Sequence, residues 1–174
     1  MKKKLILIVC RGNITRSPFA EAVINRELKR HRLDDTFLAI SRGTQGTSID
    51  PVPVKFPNIT FYKDEYRFSK PTLDKFKINI TDRVSKPVDK KIVEQASLIM
   101  AVDQINKDRL LKLFPRFKNR IHKLSELING DEDFTDPETV SGVKKHFIIL
   151  SGIRDTIIKG FSKLLALANR EEKN

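Results

Sequence analysis

The chain has 174 residues, 39% of them hydrophobic and 32% charged, with a formal net charge of +12. That length suits one compact domain with a real core, and the composition excludes a disordered chain. Cys10 is the single cysteine, which excludes an internal disulfide or a multi-cysteine zinc site, and His31, His122 and His146 are scattered, so no metal or other cofactor is expected.

The opening "MKKKLILIVCRGN" has a basic head and then apolar residues, but the apolar run ends at Cys10. An export signal needs a longer run and a small-residue cleavage site. Residues 4–9 are therefore expected to form a strand covered on both faces. Ser17 and Pro18 then suit a helix start, with serine as N-cap and proline in the first turn, and Ala20, Val23, Ile24 and Leu28 recur at helical spacing.

"TFLAISRG" (36–43) reads as a second strand, "ASLIMAVD" (96–103) as a third and "NRIHKLSELI" (119–128) as a fourth, with a helix through Leu110, Leu111 and Phe114. Val143, Phe147, Leu150, Ile157, Phe161, Leu164 and Ala168 mark one face of C-terminal helix, which Gly152 and Gly160 are placed to bend or interrupt. Strands alternating with helices predict a single α/β domain over residues 1–174, doubly wound, with a central four-stranded parallel sheet flanked by helices.

Residues 48–71 stand apart. They hold four of the eight prolines and both tyrosines. Clustered prolines argue against a helix in the early part, and "NITFY" reads as a short strand. An ordered excursion over the surface is expected. Its aromatics Phe56, Phe61, Tyr62, Tyr66 and Phe68 either pack it down or wall a binding site.

The chemistry concentrates in residues 10–16. Ligands of such sheets bind beyond the carboxyl ends of the strands. A turn there that feeds a helix N-terminus aims backbone N–H groups at an anion, and Arg16 adds a fork matching two phosphate oxygens. The same field is expected to make the Cys10 thiol acidic, and so a nucleophile facing bound phosphate. Asp136-Pro137, on its residues alone, is an ordinary turn. The positive charge fits a field that draws in phosphorylated substrates. The lysines are spread along the whole chain and no nucleic-acid motif appears, so nucleic acid is not the expected partner. No run is long enough to span a membrane, and the lone cysteine suits a reducing, cytoplasmic setting.

"VCRGNITRSPFAEA" resembles the active-site signature of the low-molecular-weight protein tyrosine phosphatases, Val-Cys-x-Gly-Asn-x-Cys-Arg-Ser-Pro-x-Ala-Glu-Ala, at every fixed position except Thr15. "ISRGTQGT" (40–47), "SLIMAVDQIN" (97–106) and "TDPET" (135–139) extend the likeness over nearly the whole chain outside 48–71. The resemblance implies a phosphomonoester hydrolase with a cysteinyl-phosphate intermediate, acting on a phosphorylated protein or small phosphomonoester and inhibited by phosphate or vanadate. Cys10 would be the nucleophile and Asp136 the acid and base. Arg11, Gly12, Asn13, Ile14, Thr15 and Arg16 would hold phosphate. Ser17 would bond the thiolate, and Asn13 would shape the loop toward Ser41.

The departures are specific. Thr15 stands where the family has a second cysteine, so an oxidised Cys10 has no disulfide partner within the chain. The lack of further cysteines argues against the related arsenate reductases. The pocket walls Arg11, Thr47 and Glu138 are polar where family members are often apolar, which implies an altered substrate preference. Ile14 is typical of members acting on aryl phosphates, whereas a small polar residue there accompanies phosphoarginine. Arg83 replaces a supporting histidine and is expected to change the bonding around Asn13 or add charge. Two rivals remain: a phosphate-recognition module with little turnover, and a basic binder using the fold as scaffold.

Overall fold

The computed structural model describes residues 3–170. The apolar run at the start is β1 (Lys4–Cys10), an inner strand. It pairs in parallel with β2 (Phe37–Gly43) on one side and with β3 (Ala96–Ala101) on the other, and β4 (Ile121–Lys123) joins β3. The order β2-β1-β3-β4 makes one four-stranded sheet.

Along β1 successive side chains alternate between the faces. Ile6, Ile8 and Cys10 join the core beneath α1 (Arg16–Arg30), α5 (Val143–Lys159) and α6 (Phe161–Ala168), while Leu7 and Val9 join a second core with α3 (Lys90–Gln95) and α4 (Gln104–Leu113). Both faces are covered, so the sequence of β1 shows no polar alternation. The connections from β1 and β3 leave in opposite directions, which opens a crevice beyond their carboxyl ends.

The expected fourth strand is mostly something else. Only Ile121–Lys123 pairs, and Leu124–Ile128 is a 3₁₀ turn. Leu124 and Leu127 are both buried. Three residues apart, they share one side of a 3₁₀ turn, whereas an extended strand would turn them to opposite faces. The two C-terminal glycines also differ. Gly152 continues α5, and a Cβ there would lie 3.0 Å from the Phe134 ring. Gly160 does fall at the break, capping α5 before α6, and its lack of a Cβ admits Leu127, whose Cβ would otherwise lie 2.4 Å away.

The 48–71 stretch holds no strand at "NITFY". Asn58 caps a 3₁₀ turn over Ile59–Phe61, accepting from Thr60 N at 2.8 Å. Helix α2 (Lys63–Phe76) follows, packed along α5, with Pro71 inside it. Pro71 is exposed, so water can serve the carbonyl that proline leaves without an N–H. The inward stripe of α2 is Glu65, Ser69, Thr72 and Leu73. That spacing is helical, but three of the four residues are polar, which hides it from any apolar pattern. Ser69 is served by His146: the fully buried ring holds Ser69 Oγ at 2.8 Å from Nδ1 and the Val140 carbonyl at 3.0 Å from Nε2. A carbonyl only accepts, so Nε2 carries the proton and Ser69 donates to Nδ1.

Gly43 ends β2 where the loop after β1 passes over it. A Cβ at this position would lie 2.5 Å from the Arg11 carbonyl oxygen and 3.2 Å from Asn13 N. Both neighbours are backbone and cannot rotate away. Gly43→Ala should lower unfolding stability by about 1–3 kcal/mol, read from urea denaturation. An unchanged midpoint would show that the loop yields freely.

Candidate active site

Cys10 closes β1, and the chain then turns through residues 11–15 into α1. Asn13 sits in the left-handed region at φ 55°, which asparagine tolerates better than most residues. Its N–H donates to Cys10 Sγ at 3.2 Å, and its Nδ2 donates to Ser17 Oγ at 3.0 Å and Ser41 Oγ at 2.9 Å. Its Oδ1 accepts from Lys86 N at 3.1 Å, and Ser85 Oγ donates to the Gly12 carbonyl at 2.7 Å. The loop is thus fastened from β2 and from the segment before α3.

One local expectation needs correction. Thr15, not Ser17, is the N-cap position, since helical geometry begins at Arg16. Pro18 still falls in the first turn, where no N–H is required. Ser17 is thereby free to approach the thiol, with Oγ 3.0 Å from Sγ. Arg83 bonds Glu21 of α1 rather than Asn13, which leaves the alternative of added charge beside the loop.

Arg16 is 3% exposed, and three hydrogen bonds hold its two Nη nitrogens. Nη1 donates to Asp103 Oδ2 at 2.7 Å and to the Phe134 carbonyl at 2.8 Å, and Nη2 donates to Asp136 Oδ2 at 2.5 Å. Asp103, at the carboxyl end of β3, also caps α4 through Asn106 N at 2.7 Å. Sequence reasoning passed over Asp103. The signal was an aspartate directly after a buried strand and before a helix, which reads as a cap and nothing more.

Burial pushes the Cys10 thiol above its ordinary value, against the opposing pull of Arg16 and the Ser17 hydroxyl, while Asp136 adds to the rise. This is opposite to the acidic thiol expected from the motif. Arg16, although shared with two carboxylates, still favours the thiolate, and burial outweighs it.

The cavity over Cys10 is lined by Arg11, Gly12, Ile14, Thr15 and Arg16 from the loop, with Asp136 and Glu138 opposite. Asn13 stands behind it, holding the loop from outside the cavity. Thr47 does not line it: its hydroxyl turns back to the Thr44 carbonyl at 2.6 Å, in a turn where Gly46 adopts φ 84°, and Gln45 faces the cavity instead. Arg11 leans on Asp50 at 3.0 Å, and Arg109 holds the same carboxylate at 2.8 Å. Tyr62 and Glu65 complete the wall, so the 48–71 excursion does reach the site.

Glu65 was not foreseen. It is 8% exposed and accepts a hydrogen bond from the Thr15 hydroxyl. Burial pushes its carboxyl up to about 7 from 4.5, with the Thr15 bond opposing and Asp136 and Glu138 adding. The unfolded chain releases this proton near the ordinary value and the folded chain near 7, so folding loses stability as pH rises between them. Glu65→Gln should gain thermal stability over the wild type as pH rises from 4.5 to about 7 and keep that gain above. A difference in melting temperature that ignores pH would put the carboxyl in water.

Residues 5–174 match the family described as low molecular weight phosphotyrosine protein phosphatase. Among curated relatives, a low molecular weight protein-tyrosine-phosphatase PtpA from Staphylococcus aureus is 29% identical over 133 residues, covering 76% of this chain and 77% of that protein. The fold is shared with a low molecular weight protein tyrosine phosphatase from T. tengcongensis, at TM-score 0.75 and 24% identity over 92% of this chain and 99% of that one. It is shared too with a YwlE arginine phosphatase from Geobacillus stearothermophilus, at TM-score 0.72 and 21% identity over 97% and 99%. The family match spans almost the whole sequence, the sheet is the same, and a buried lone cysteine ends the first strand: the chain belongs to the low molecular weight phosphotyrosine protein phosphatases, a family of cysteine-dependent phosphatases.

Proposed function

We propose that the chain hydrolyses phosphomonoesters through a cysteinyl-phosphate intermediate at Cys10, as a tyrosine-phosphatase-like enzyme with altered substrate preference. The observation that carries the reading is the convergence of Cys10, Arg16 and Asp136 on one cavity, with Ser17 and Asn13 both within bonding reach of the thiol.

A bound phosphate would take the Arg16 Nη2 that Asp136 now holds, and so release the carboxyl to serve the reaction. The thiol proton passes to the phosphate dianion, leaving a thiolate facing a monoanion. Sulfur then bonds to phosphorus as the ester oxygen departs with a proton from Asp136. In the second half, Asp136 takes a proton from water as that water attacks phosphorus, and Cys10 leaves with inorganic phosphate as product. Arg16 and the loop amides hold the equatorial oxygens throughout.

The preference follows from the walls. Tyr62 supplies an aromatic face, with its hydroxyl spent on the Phe56 backbone at 3.1 Å from N, and Ile14 supplies an aliphatic one. Beside them stand Glu65, Glu138, Gln45 and Arg11. Such a slot favours a leaving group that carries hydrogen-bond donors or positive charge near the phosphate. PtpA is named a protein-tyrosine-phosphatase and YwlE an arginine phosphatase; the mixed wall supports a preference between an aromatic and a cationic leaving group.

Cys10→Ser should abolish p-nitrophenol release from p-nitrophenyl phosphate while vanadate still binds. Turnover that survives would remove the covalent route, and loss of vanadate binding would show a collapsed loop. Asp136→Asn should slow esters with poor leaving groups far more than those with good ones, by roughly 10²–10⁴-fold. Equal losses on both would take Asp136 out of the acid's role.

A further inference from the structure

We propose that Glu65 is a specificity-determining residue of this pocket: its carboxyl takes up a proton when the pocket binds a doubly charged oxyanion, so the pocket prefers such a ligand only while Glu65 is neutral. The proposal rests on the reading of the cavity as an oxyanion site.

Glu65 enters from the first turn of α2, outside the signature loop, and shares the cavity with Cys10, Arg16 and Asp136. It is buried, and it accepts a hydrogen bond from the Thr15 hydroxyl. Among the described residues it makes no ion pair, and Arg16, the cation that favours its ionised form, is shared with other carboxylates. Arg16 is matched by Asp103 and Asp136, and Arg11 is drawn to Asp50. A dianion arriving over Cys10 therefore meets a carboxyl with no counter-charge of its own, and protonation is the simplest relief. A neutral carboxyl also gains an O–H donor, which an oxyanion can use.

The remaining charges around Glu65 do not take over this part. Asp136 and Glu138, from the segment opposite, are acidic and disfavour its ionised form. Tyr62 is occupied by the Phe56 backbone. Asp64 and Arg67 on the outer side of α2 pair with each other in water. On α5, His146 is held between Ser69 and Val140, and Arg154 lies over Phe76 at the far end of α2, with Lys75 over Phe147.

The same contact accounts for Thr15. A thiol is a weak donor, so a cysteine at this position would leave a buried carboxyl poorly served. A threonine hydroxyl serves it well. The departure from the family signature and the acidic residue on α2 are thus two halves of one feature.

The test measures sulfate binding to the full chain by calorimetry from about pH 5.5 to about pH 8.5. Sulfate keeps its double charge over this range, unlike a phosphate monoester, which itself titrates near about 6. Against Glu65→Gln, wild-type affinity should hold a constant ratio at the acid end. Above neutrality it should fall by up to about tenfold per pH unit relative to the variant. Thr15→Val, which removes the hydrogen bond that favours the ionised form, should move that break to higher pH. A merely structural role would not move it.

A ratio between wild type and Glu65→Gln that stays flat with pH overturns the proposal. If Glu65→Gln melts too low to measure, a break that stays in place in Thr15→Val does the same. Wild type that binds no sulfate at any pH overturns the oxyanion pocket itself. Those outcomes separate this proposal from the reading beneath it.

Discussion

Arg16 is buried, and its charge has to be met where it stands. A guanidinium removed from water carries a desolvation cost that only nearby acceptors offset, and removing one partner of such a pair typically costs about 3–5 kcal/mol. The acceptors here come from three places in the sequence: Asp103 beyond β3, the Phe134 carbonyl, and Asp136. Meeting this one charge draws the carboxyl end of β3 and the 134–136 segment onto the start of α1. Phe134 is held in turn by the missing side chain of Gly152, where its ring comes within 3.0 Å of the position a Cβ would take. Cys10 and Asp136 are brought face to face because both lie beside the same cation.

Around that centre the loop is held by polar bonds rather than by packing. Asn13 alone reaches Cys10, Ser17, Ser41 and Lys86. Left-handed backbone at this residue frees its N–H to point at sulfur, and its side chain fixes the loop from behind. The thiol is buried at the focus of these donors, and burial raises it.

The parts legible in the sequence were those whose physical cause is local. Residues 4–10 are apolar throughout because both faces of β1 are covered, and the turn after Cys10 shows in a glycine, an asparagine and a Ser-Pro pair. Resemblance added Asp136, which no local pattern separates from any other Asp-Pro turn. What stayed hidden depends on tertiary partners. The inward face of α2 is polar because Thr15 and His146 wait for it, so its helical period carried no apolar signal, and Pro71 pointed the wrong way. Asp103 looked like a cap because it is one; its second oxygen, bound to Arg16, is visible only in three dimensions. Residues 124–128 had strand composition, but Leu124 and Leu127 both had to face the core.

The Ser69–His146–Val140 chain joins α2, α5 and the residues just after Asp136 through one imidazole. An opening that lifts the Asp136 segment must break the bond to Val140 or carry the ring and α2 with it. These elements are therefore expected to open as one cooperative unit, exposing the amides of α2 and of residues 136–140 in the same event. The helix that bears Glu65 and the segment that carries Asp136 are tied through a single ring.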